Sequence, residues 1–248
     1  MLQINKTYLG DCLEVMKDIE DNSVDLILCD LPFGTTQCKW DSVIDLNKLW
    51  LQYKRVIKPT GAIVLNAQAP FDKVLGASNL KMLRYEWIWE KTAATGHLNA
   101  HYMPMKAHEN VLVFYKKRPT YNPQMTKGHK LKSVSTATAS KSNDSNSLVY
   151  GKQSTTPYSS TERFPRSVLK FAKDKQKSSL HPTQKPYSLG EYFVKTYSNE
   201  GDLILDNAAG SGTYGLAAKN LNRNYIMIEK TLKHFNTCRE RLGETVTN

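Results

Sequence analysis

Short apolar runs alternate with segments of helical spacing along most of this chain, and that alternation limits the folds open to it. Residues 24–29 (VDLILC), 61–67 (GAIVLNA), 203–206 (LILD) and 225–228 (YIMI) read as buried strands. Residues 85–90 (YEWIWE) and 111–115 (VLVFY) read as two more. Residues 45–57 repeat apolar side chains at Leu46, Leu49, Trp50, Tyr53 and Ile57, a helix that "KPTG" should stop. Further helices are expected over 71–83, 187–198, 213–221 and 231–242. Strands alternating with helices imply an α/β fold with a mostly parallel, doubly wound sheet covered on both faces.

One segment breaks the pattern. Fifteen of the 38 residues in 126–163 are Ser or Thr, which predicts a long loop or partly disordered insert. Charge concentrates around it. Residues 91–177 hold sixteen Lys or Arg against four Asp or Glu, a balance of +12, whereas the whole 248-residue chain carries +11. A basic segment on a near-neutral scaffold suggests a polyanion partner; a solvated loop that is basic for solubility is the plainer alternative.

Several classes are unfavoured. No run reaches the ~20 apolar residues of a membrane span, so no membrane role is expected. The start, "MLQINKTYLGD", lacks a basic region followed by an apolar one, so a cytoplasmic protein is expected. Cys12, Cys29, Cys38 and Cys238 form no C-x-x-C pair and are expected to be reduced. His97, His101 and His108 are too loosely spaced to suggest zinc, and no metal is expected.

Two strands end in unusual loops, and ligands of open α/β sheets bind beyond the carboxyl ends of strands. The first runs into "DLPFG", residues 30–34. A plain turn would account for Pro32 and Gly34, but not for Asp30 or Phe33. The second runs into "DNAAGSGTYG", residues 206–215, where Gly210, Gly212 and Gly215 form G-x-G-x-x-G between a strand and a helix. Glu229, at the next strand end, could accept hydrogen bonds from a ribose. This pattern suits a nucleotide-dependent oxidoreductase or any adenosine-bearing cofactor. Asp206 separates the two, because a carboxylate repels a pyrophosphate and attracts the amino group of S-adenosylmethionine.

Taken in order, "DLPF" (residues 30–33), the basic insert, "HPTQKP" (181–186) and "DNAAGSGT" (206–213) resemble the beta class of DNA amino-methyltransferases. "MPMKAHENVLVFYKK" resembles that family's strand region before target recognition. The chain departs in Leu31, where the family's motif has proline, and in "DNAAGSGT", where an apolar aromatic pair commonly follows the Asp.

The resemblance implies a Rossmann-like methyltransferase sheet built from residues 1–120 and 179–248, with a target-recognition insert over 121–178. It implies S-adenosyl-L-methionine as cofactor and double-stranded DNA as substrate. Adenine N6 is the expected target; cytosine N4 and a non-catalytic DNA-binding relative are the alternatives. Asp30 and the carbonyl of Leu31 would accept hydrogen bonds from the target amine, Pro32 would shape the turn, and Phe33 would stack on the flipped base. Asp11, Asp30, Thr183, Lys185, Asp206, Ala208, Gly210, Ser211, Gly212, Thr213 and Glu229 are the expected cofactor contacts. Gly212 in particular would let backbone approach the donor. Lys127, Lys130, Lys132 and Trp40 are the expected DNA contacts. Homodimers and a cognate restriction enzyme are partners the resemblance brings with it.

Overall fold

The computed structural model describes residues 1–34, 42–143, 146–147, 151–152, 155–172 and 184–244. It contains two compact units, one of residues 1–122 and 167–248, the other of residues 123–166.

In the larger unit the chain runs β1 (Lys6–Leu9), α1 (Cys12–Val15), β2 (Val24–Asp30), α2 (Leu46–Val56), β3 (Ile57–Ala67), α3 (Phe71–Ser78), β4 (Leu83–Thr95) and β5 (Lys106–Phe114). The smaller unit holds β6 (Lys132–Val134), α4 (Thr136–Asn143), β7 (Asn146–Ser147), β8 (Gly151–Lys152) and β9 (Tyr158–Ser160). The larger unit resumes with β10 (Val168–Phe171), α5 (Tyr187–Tyr197), β11 (Leu203–Asp206), α6 (Thr213–Asn220), β12 (Asn224–Glu229) and α7 (Leu232–Leu242).

Eight strands form one sheet in the order β1-β12-β11-β2-β3-β5-β4-β10. All pairs are parallel except those of β5, which is antiparallel to β3 and β4. The side chains of β2 alternate between two cores, as strand geometry requires. Ile27 and Cys29 pack with Leu49, Tyr53, Phe71 and Leu75 of α2 and α3. Leu26 and Leu28 pack with Phe193, Tyr214, Ala217 and Cys238 of α5, α6 and α7. This is the expected α/β class: a mostly parallel sheet between two helical layers.

Local details differ from expectation. The helix expected to reach residue 83 ends at Ser78, because Leu83 is already paired with Phe114 in the sheet. "KPTG" is not a stop: β3 starts directly at Ile57 and the four residues lie in a bulge between the Val24–Ile57 and Leu26–Ala62 pairs. A Cβ on Gly61 would lie 2.8 Å from the Asp25 carbonyl oxygen, so glycine is required where the bulge meets β2. The Ser/Thr-rich segment is not all loop. β6 pairs with β9, and Arg163 binds the carbonyls of Ser160, Glu162 and Lys130, holding the small unit together from within.

Candidate functional site

β2 connects to β3 on one side of the sheet and β11 connects to β12 on the other. The winding therefore reverses between β11 and β2, the place where open α/β sheets hold ligands. Asp30 ends β2, Asp206 ends β11 and Glu229 ends β12. The loops after residues 30 and 206, far apart in sequence, thus start from neighbouring strands.

Asp30 is engaged by Lys185, whose Nζ lies 2.7 Å from its Oδ2. The same Nζ lies 3.1 Å from Oε2 of Glu109 on β5, and Oε1 of Glu109 lies 2.8 Å from Nζ of Lys91 on β4. Lys185, Glu109 and Lys91 are all buried. Burial works against the charge on Lys185, but Asp30 and Glu109 outweigh it and raise its pKa. Burial likewise works against the Glu109 carboxylate, and Lys185 and Lys91 hold its pKa below the usual range. Carboxyl and amino groups alternate along the row Asp30, Lys185, Glu109 and Lys91. Lys185, expected as a cofactor contact, is thus an ion-pair partner of Asp30.

Leu31 is 3% exposed and packs in the core of α2 and α3. Phe33 is half-buried, its ring stacked on Phe71 at 5.5 Å and 29°. Nζ of Lys185 lies 5.3 Å from its centroid. Pro32 is half-buried between them in sequence.

Asp206 is 2% exposed, and burial pushes its pKa up to about 7. The Ala208 N–H and the Cys29 thiol oppose this, and the charges of Asp30 and Glu229 add to it. Glu229 is held by two backbone donors, Gly210 N to Oε2 and Thr231 N to Oε1, both at 2.8 Å. Each oxygen keeps a lone pair for a further donor. Asp11 caps α1 through the Leu13 N–H and lies 3.2 Å from Lys230, the neighbour of Glu229.

Gly212 has a packing reason of its own. Its φ is +74°, and a Cβ there would lie 2.6 Å from Sγ of Cys238 on α7. Helix packing and backbone conformation both require this glycine. Ser211 and Thr213 are engaged by Arg241 of α7, whose Nη1 donates to both hydroxyls at 3.3 and 3.0 Å. Ala208 and Gly210 remain beside Asp206 and Glu229. Thr183 and Trp40 lie outside the described residues. Lys127, Lys130 and Lys132 are exposed in the smaller unit, where Lys127 lies 3.6 Å from Glu162.

Sequence reasoning missed Glu109 and Lys91. It also missed Asn207, which accepts from the Tyr53 hydroxyl at 2.5 Å, and Asn66, which donates to the Tyr214 hydroxyl at 2.5 Å. The first bond joins the loop after β11 to α2, and the second joins the end of β3 to α6. Cys12, Cys29 and Cys238 are buried free thiols. Among the described residues no group of side chains could hold a metal ion, and no helix is long and apolar enough to cross a membrane.

A buried row of carboxylates suits a cationic cofactor. S-adenosylmethionine carries a sulfonium and an ammonium, and a site with Asp206 and Glu229 at adjacent strand ends offsets both charge and ribose hydroxyls. A dinucleotide pyrophosphate would meet repulsion there.

Comparison with known proteins agrees with this chemistry. The family model described as DNA methylase, of the N6/N4 methyltransferases, matches residues 24–240. The Type II methyltransferase M.HpaI of Haemophilus parainfluenzae is 30% identical, over 94% of this chain and 72% of its own. The DNA adenine methyltransferase YhdJ of Escherichia coli K12 is 28% identical, over 89% of this chain and 76% of its own. Among solved structures, the M1.HpyAVI–SAM complex superposes with a TM-score of 0.66 at 24% identity, covering 96% of this chain and 98% of that one. The cytosine-N4-specific PvuII DNA methyltransferase gives 0.67 at 16% identity, covering 95% and 85%. The chain belongs to the N6/N4 DNA methylase family. It is an S-adenosylmethionine-dependent DNA methyltransferase.

Proposed function

We propose that this methyltransferase modifies adenine N6 within a specific duplex sequence, acting on a base turned out of the helix. The observation that carries the reading is Asp30, a carboxylate held by Lys185 at the switch point of the sheet, with the Phe33 ring beside it. The adenine assignment is supported by the relative named a DNA adenine methyltransferase.

An exocyclic amine on a purine is a poor nucleophile, because its lone pair is delocalised into the ring. Asp30 accepts a hydrogen bond from one amine proton and the Leu31 carbonyl accepts the other. Two fixed acceptors favour a pyramidal nitrogen and stabilise the positive charge that grows on it. S-adenosylmethionine supplies an electrophilic methyl group on sulfonium. Asp206 and Glu229 bind the donor's amino group and ribose. Phe33 supports the flipped base, whose amine is out of reach inside a duplex. Lys127, Lys130 and Lys132 hold phosphates.

Cytosine N4 is the second reading, since the same two acceptors suit either amine. A cognate restriction enzyme as companion belongs to the same reading. A homodimer in the bacterial cytoplasm completes the proposal.

The test is direct. Unmethylated genomic DNA is incubated with the protein and labelled donor, digested to nucleosides and separated. Label in N6-methyldeoxyadenosine is expected. Label in N4-methyldeoxycytidine would replace adenine by cytosine, and unlabelled nucleosides would refute the proposal.

A further inference from the structure

Glu109 has no assigned task, yet it is 8% exposed and bound to two lysines. Burying a carboxylate is costly unless it is paired, and breaking such a pair leaves the partner charge uncompensated. Lys91 alone would compensate Glu109. The second lysine, Lys185, is the one that reaches the catalytic carboxylate.

We propose that Glu109 is a positioning residue for methyl transfer, acting on Asp30 through Lys185. The proposal rests on the reading that Asp30 meets the target amine. Among the described residues, Asp30 from β2, Glu109 from β5 and the Phe33 ring from the loop after β2 face the Lys185 ammonium. Without Glu109 the whole charge of Lys185 falls on Asp30. A carboxylate so neutralised is a weaker acceptor for the amine and stabilises less of the positive charge that develops on nitrogen. With Glu109 in place the ammonium is shared between two carboxylates, and Asp30 stays both oriented and electron-rich. Lys91 on β4 returns the balance at the outer end, so the row of four is neutral as a whole. The row is placed by the sheet itself: Glu109 pairs with Trp89 across β4 and β5, two residues from Lys91.

This predicts a loss confined to the chemical step. Glu109→Gln keeps shape and removes charge. Its single-turnover methylation rate, at saturating donor and DNA, is expected to fall about 10- to 100-fold, the scale of one preorganised electrostatic partner. Dissociation constants for donor and DNA are expected to stay within about twofold. Glu109→Asp is expected to recover part of the rate. In a cycle with Lys185→Met, the double variant is expected to be no slower than Lys185→Met alone, because Glu109 acts through that ammonium.

Folding is controlled separately. Glu109→Gln leaves an extra buried positive charge, and Lys91→Met with Glu109→Gln removes it. The pair is expected to restore thermal stability without restoring rate. A rate that returns with stability would make Glu109 purely structural. A wild-type rate in Glu109→Gln, or losses that multiply in the cycle with Lys185→Met, would overturn the proposal. Failure of the underlying reading looks different: Asp30→Ala would then methylate normally.

Discussion

In the proposed site, Asp206 gives donor binding a pH signature. Its folded pKa of about 7 lies well above the ordinary carboxylate value of 3.8, chiefly because it is buried. Near neutrality the free site is therefore half protonated. A cationic donor binds the ionised form, so binding below pH 7 must expel a proton. Affinity should rise about tenfold per pH unit well below 7 and level off above it. Between pH 8 and pH 6 this amounts to roughly a tenfold loss. Asp206→Asn carries no titrating group, so its weaker binding should be nearly flat over the same range. Calorimetry in two buffers of different ionisation enthalpy measures the effect, and the wild type should release about half a proton at pH 7. The sign also applies to stability. The folded state holds the proton more tightly than the unfolded chain, so Asp206 contributes stability at low pH that is lost as pH rises towards 7. Donor affinity independent of pH from 6 to 8, or equal pH dependence in Asp206→Asn, would refute the reasoning.

Other perturbations follow from the same geometry. Gly212→Ala sets a Cβ against Cys238 at a positive φ, so chemical denaturation should show a loss of about 1–3 kcal/mol. Adding Cys238→Ala should recover the packing part and leave the backbone part; full recovery or none would show that only one cause operates. Neutralising Lys127, Lys130 and Lys132 together should flatten the log–log salt dependence of DNA binding by about 0.9 per lost phosphate contact, as fluorescence anisotropy would show; an unchanged slope would return these lysines to the role of a solvated surface. Glu229→Ala should weaken donor binding by about 1–3 kcal/mol in calorimetry, and it also frees the Gly210 and Thr231 N–H groups it now accepts from. Unchanged affinity would remove Glu229 from the donor site.

The parts of this fold that were legible in sequence are those with strong local patterns. β2, β3, β5, β11 and β12 carry apolar runs, and Asp30, Asp206 and Glu229 each mark the end of such a run. β1 and β10 were not legible, because "KTYL" and "VLKF" are four-residue edge strands with little to distinguish them. Glu109 was hidden for a related reason. It sits among the polar residues before "VLVFY", and Lys185 follows 76 positions later, so only tertiary contact reveals the pair. The packing reason for Gly212 was not legible. A glycine beside a ligand loop and a glycine under a crossing helix look alike in one dimension. A Glu at the head of a buried strand run, whose charge must find a partner, was the signal available for Glu109.

Asp30 is where the account is most exposed. The most direct measurement is the single-turnover rate of Asp30→Ala on unmethylated DNA with saturating donor. In the proposed mechanism Asp30 acts in the transition state, where charge develops on nitrogen, so the rate should fall by on the order of 10² or more. Asp30→Asn keeps a carbonyl acceptor and should retain more activity than Ala. Thermal unfolding should change little in the Asn variant, and DNA binding should survive in both. An Asp30→Ala enzyme that methylates at nearly the wild-type rate would make Asp30 a turn residue and contradict the account.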